Sequence, residues 1–153
     1  MSYRIEDEPQ PGAWTHLVVD PMWPLLAVMF GGAFISWPWF AINGFAVGSP
    51  TRRRELALAA GGFVGSFLIM IVILALAGQG VFGEVGVRYA LISLTVWKLA
   101  MSYWLYVLQS RSFSLYEHFG GTVRNGLVVV FLAYFLRGRV AEAVPTLWAF
   151  VLV

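Results

Sequence analysis

Two stretches of this chain, Met22 to Val47 and Leu56 to Ala77, run without a single ionisable residue. About 20 consecutive apolar residues, each rising 1.5 Å, carry a helix across the roughly 30 Å hydrocarbon layer of a bilayer. Both stretches reach that length. A third, Tyr89 to Leu108, reaches it with one exception, Lys98 near its midpoint. In lipid the backbone must satisfy its own polar groups, so helices are the form expected. Charge content points the same way: 12% of the residues are charged, against about 25% in a soluble domain. The sequence thus predicts an all-α, polytopic membrane protein with three clear transmembrane helices and a short fourth helix or re-entrant hairpin at the C-terminal end.

Residues 1–20 read as a retained acidic tail, with Arg4 set against Glu6, Asp7, Glu8 and Asp20 and with Pro9, Pro11 and Gly12 expected to keep it flexible. A secretory leader needs a basic start and a shorter apolar core. Residues 21–153 form a single helical membrane domain, with helices expected at about 22–47, 56–77, 89–108 and 121–136 and a C-terminal apolar segment at 140–153. Asp20 can cap the first helix, and Pro21 suits its first position. Pro38 removes the bond to the Phe34 carbonyl, which predicts a kink near Trp37-Pro38-Trp39. Ser49-Pro50 offers the second helix a cap-and-proline start.

The C-terminal third leaves two layouts. Arg137, Arg139 and Glu142 separate two short apolar pieces, 126–136 and 140–153. Either a fourth helix begins near Gly121 and the last residues lie along a surface, or the two pieces form a hairpin that enters and returns. Four helices are the expectation, a short last span with snorkelling arginines being the commoner architecture. Lys and Arg favour cytoplasmic loops, so Arg52-Arg53-Arg54 places the first loop in the cytoplasm and the N-terminus outside. The leader lacks transit-peptide character, and a bacterial inner membrane is the expected compartment.

Helices in lipid associate through close packing and polar contacts. Small residues recur at a spacing of four in Gly32 with Ser36, Gly44 with Gly48, and Ala57, Gly61 and Gly65; Gly62 with Ser66 lies beside the last row. These rows are expected to face one another or a partner chain. Trp23, Trp39, Tyr89, Tyr106 and Trp148 fall near the expected boundaries, as an interfacial aromatic belt would.

Lys98 is the most informative side chain. A central lysine costs about 2.5–3.5 kcal/mol on insertion scales and normally faces protein, water or an acid. No acid of this chain lies at a matching depth in the expected layout. The expectation is a structural lysine that snorkels or donates to backbone and to Tyr103 or Ser102, with an ion or anion path or a salt bridge to another subunit as the functional readings. Asn43 is expected to hydrogen-bond across a helix interface. Glu117, His118, Arg124 and Asn125 concentrate the other polar groups in a segment read as a solvated loop, an interfacial polar site at most.

Several chemistries are absent. The chain has no cysteine, its two histidines are His16 and His118, and it contains neither H-E-x-x-H nor G-x-S-x-G. No metal, cofactor or catalytic set is expected, and a net charge of +2 gives no case for nucleic acid. The expected partners are the lipid bilayer and another membrane protein or further copies of the chain. The leading expectation is an accessory or interaction subunit. An oligomeric small-solute or ion transporter or channel subunit comes second, and a lipid-facing enzyme using Glu117, His118 and Arg124 third.

Overall fold

The computed structural model describes Pro9 and residues 12–153; most of the acidic tail therefore lies outside the described residues. After a 3-10 turn at Thr15–Leu17, six helices follow: α1 Met22–Gly31, α2 Ala33–Val47, α3 Arg52–Gly78, α4 Glu84–His118, α5 Leu127–Ala143 and α6 Thr146–Leu152. The described residues form an all-helical bundle. Two helices, α3 with 27 residues and α4 with 35, are long and apolar enough to cross a bilayer, at about 40 and 52 Å.

The first apolar stretch is not the single kinked helix expected. It breaks at Gly32, whose φ of +91° is a left-handed value that glycine adopts without penalty. The chain reverses there. Val19 N–H donates to Asn43 Oδ1 at 3.0 Å, and Val18 packs with Ala46 and Val47, so the start of α1 lies beside the end of α2. The two helices form a hairpin of 10 and 15 residues, about 15 and 22 Å deep. Its tip is close-packed: a Cβ on Gly31 would overlap Ala133, and one on Gly32 would overlap the backbone of Leu152 and Val153. Pro38 lies inside α2 without ending it. Asp20 does cap α1, accepting from Met22 N–H at 2.8 Å.

Residues 18–20 accordingly sit at the same end of the bundle as Arg52–Arg54, not at the opposite end that a full first span requires. That end also holds the close of α4, where Gly120 turns the chain at φ +81° and Arg124 N–H donates to Val18 O at 2.8 Å. From there α5 runs in the same direction as α1, with Gly126 against Trp23 and Gly31 against Ala133. It continues unbroken through Arg137, Arg139 and Glu142, so the chain turns at Val144-Pro145 and not at the arginines. α6 then folds back, setting Trp148 edge-on to Phe67 at 4.9 Å and bringing Val153 to Gly32. The C-terminal pieces therefore match neither expected layout in detail.

α3 and α4 are antiparallel neighbours. Glu55 meets Gln109, Gly62 meets Trp97, and Met70 packs with Leu94 and Val151. Both helices are longer than expected, because the apolar pattern gives no signal where helix leaves the apolar layer. Beyond the Met70–Leu94 level they continue as a two-helix hairpin exposing Ile71, Val72, Leu74, Val85, Tyr89 and Ile92. The middle of the bundle is filled by Ala33, Trp37, Phe40, Ala59, Met101 and Leu105. Trp37 is fully buried, edge-on to Phe63 at 4.7 Å, and its Nε1–H donates to Ser102 Oγ at 2.8 Å.

Candidate functional site

Polar groups gather at two levels, one on each side of this apolar layer. The first is built around Glu55, which is 0% exposed. The turn Ser49–Thr51 and the first turn of α3 fold its carboxylate inward. Ser49 Oγ and Thr51 Oγ1 donate to Oε1 at 2.6 and 2.7 Å, and Gln109 Nε2 donates to Oε2 at 2.8 Å. Gln109 Nε2 also donates to the Phe40 carbonyl, and its Oε1 accepts from Asn43 Nδ2 at 3.2 Å. Ser112 Oγ joins Ser49 Oγ at 3.1 Å. The partners of this carboxylate are thus hydroxyls and an amide, none of them cationic. Gly44 makes the space, since a Cβ there would overlap Glu55 Oε2.

Through Val19 N–H on Asn43, this network ties the segment leading into α1 to α2, α3 and α4. The carboxylate also stands in the first turn of α3, the end of a helix where the dipole favours an acidic side chain. Asn43 bonds across a helix interface here. The sequence reading passed over Glu55 and Gln109, which fall one residue outside the expected second and third helices. One signal was available: Thr51 and Glu55 are spaced one residue wider than a capping box, directly before an uncharged run.

The second level is centred on Lys98. Its Nζ donates to the Phe150 carbonyl in the last turn of α6 at 3.1 Å, and Arg137 Nη1 approaches the Phe30 carbonyl in the last turn of α1 at 3.4 Å. Helix ends leave carbonyls without intrahelical partners, and cations are favoured there. Lys98 and Arg137 thus serve two helices that end in the interior of the bundle. Lys98 is 7% exposed, and its ammonium turns to the end of α6 rather than out to solvent. Two cavities flank the pair, of about 390 and 280 Å³, sharing Thr95, Lys98, Arg137 and Val153. Among the described residues no Asp or Glu side chain lines either one.

The remaining sequence candidates do not converge. Glu117 and His118 close α4 and are exposed, His118 lying edge-on to Phe119. Arg124 uses its backbone N–H, and Asn125 Oδ1 accepts from Leu127 N–H at 2.9 Å, opening α5. A cavity of about 450 Å³ nearby is lined by Tyr116, Phe119, Gly120, Gly121 and Thr122, with Pro9 and Thr15, and by neither Glu117 nor His118. Tyr116 to His118 belong to α4, not to a loop. No group of three His, Asp or Glu side chains suited to a metal ion occurs among the described residues.

Among the small residues, Gly62 packs on Trp37 and Gly65 on Trp97, while Gly61 has open space where its Cβ would stand. Ala57 is also exposed. Ser36 Oγ bonds Gly32 O at 2.9 Å, and Gly48 ends α2 in the left-handed conformation at φ +72°. Comparison with family models, curated proteins and solved structures finds no match.

Proposed function

We propose that this chain is an integral membrane protein that works as an interaction subunit, packing against a partner or further copies of itself within the bilayer. Lipid as the solvent is supported by burial. Only 28% of the most apolar eighteen residues of α3, and the same share of α4, is covered by protein. A core helix of a soluble domain would be largely buried, and soluble monomers rarely expose apolar patches of this extent.

The observation that carries the interaction reading is the dry layer of Ala33, Trp37, Phe40, Ala59, Met101 and Leu105 between the two polar levels. Glu55 and Gln109 are occupied by each other and by Ser49, Thr51, Asn43 and Phe40. Between the two levels the described core is apolar apart from Ser36, Ser66 and the Trp37–Ser102 hydrogen bond, which argues against a solute path through a lone chain. Exposed Ala57 and Gly61 leave a shallow face on α3 where a second helix could approach closely. With Arg52–Arg54 assigned to the cytoplasm, residues 18–20 belong on that same side, and a bacterial inner membrane remains the compartment favoured.

A transporter or channel subunit is the second reading, favoured by the hairpin tip and α6 ending beside Lys98, since carriers place sites where interrupted helices meet. One measurement tests the first: the mass of the protein extracted in mild detergent, with the detergent contribution subtracted. More than one chain, or a stoichiometric second protein, is expected. A single 17.0 kDa chain with nothing bound to it overturns the interaction reading.

A further inference from the structure

We propose that the Lys98–Arg137 cleft binds the phosphate of an anionic amphiphile, with the apolar chains lying in the cavities on either side. The inference rests on the membrane reading above but not on the choice of partner. Lys98 is buried and uses one of its three N–H donors on Phe150 O. Arg137 is exposed, and its contact to Phe30 O at 3.4 Å is long, which leaves most of a planar five-donor fork unused. Guanidinium matches phosphate in a bidentate geometry, and Thr95 adds a hydroxyl on the shared wall. Among the described residues these two cations share the cavity walls with no acidic side chain, so an anion entering the cleft would meet unopposed positive charge.

The walls select the kind of anion. One cavity runs along Leu91, Leu94, Ala141 and Phe150, the other along Val28, Met29 and Leu99. A charged centre between two apolar compartments has the form of a phosphate bearing two chains. An acidic side chain from a partner protein would neutralise the cations but leave both compartments empty. Basic clefts between membrane helices hold anionic head groups by this combination of charge and apolar wall.

The test is native mass spectrometry of the full chain, released from a non-ionic detergent and titrated separately with phosphatidylglycerol, phosphatidylcholine and inorganic phosphate. One phosphatidylglycerol per chain is expected, with at least tenfold preference over phosphatidylcholine. Arg137→Gln and Lys98→Met should each reduce that preference severalfold, and Lys98→Arg should retain it. Arg137→Gln alters an exposed side chain and keeps the test open if Lys98→Met fails to fold. Equal retention of the two lipids, or phosphatidylglycerol binding unchanged in both variants, overturns the proposal. Inorganic phosphate binding without lipid preference makes this a small-anion site and equally overturns it. A chain that stays folded in buffer without detergent would instead defeat the membrane reading itself.

Discussion

At the scale of single residues, Glu55 is the group on which the most contacts depend. Its carboxylate accepts three hydrogen bonds from two elements, and deleting it strands Gln109, Ser49 and Thr51 in a buried site. Leaving a buried neutral donor without its acceptor costs roughly 1–3 kcal/mol. Glu55→Ala is therefore expected to destabilise the protein by about that much in detergent, followed by thermal unfolding. Glu55→Gln should cost clearly less, because its amide can face the serine and threonine oxygens while its carbonyl still accepts from Gln109. Equal losses for the two variants would mean that the site tolerates an empty carboxylate position. Lys98 and Asn43 were legible in the sequence because each interrupts an apolar run. Glu55 and Gln109 were not, because polar residues at the end of such a run are what interfacial position alone would produce.

At the scale of elements, the hairpin at Gly32 is where pattern and structure part. Hydropathy sums over a stretch and carries no sign of direction, so an apolar run that reverses reads like one that continues. Pro38 was the more conspicuous interruption, yet a helix tolerates the loss of one hydrogen bond when its flanks are packed, and α2 passes through it. Gly31-Gly32 was the informative pair. The left-handed backbone costs a residue with a Cβ about 1–2 kcal/mol, and at Gly32 that Cβ would also meet the backbone of Leu152 and Val153. Gly32→Ala is expected to lower the unfolding midpoint by several degrees. Gly138→Ala, at a glycine inside α5 with open space around it, should leave the midpoint unchanged or raise it, alanine being favoured over glycine in a helix by about 1 kcal/mol. Similar losses at the two positions would argue against a tight tip.

For the molecule as a whole, the membrane reading proposed above requires a short chain to close its backbone within lipid with two long helices among the described residues. Unsatisfied peptide groups cost several kcal/mol each where no water is available, so shorter pieces must end against protein. α1 and α2 enter from one end and α6 from the other, and their tips meet at Gly32 and Val153 beside Lys98 and Arg137, the donors their last carbonyls need. This arrangement fixes sidedness: residues 15, 51 and 122 lie at one end, and residue 80, in the α3–α4 connection, lies at the other. The native chain has no cysteine, so single cysteines at Thr15, Thr51, Thr122 and Gly80 can be probed in intact cells with an impermeant thiol reagent. The first three are expected to react only after permeabilisation, and position 80 without it. Reaction of 15 without permeabilisation, with 51 protected, would restore a full first span and remove the hairpin. Reaction of all four before permeabilisation would place the bundle outside the bilayer altogether.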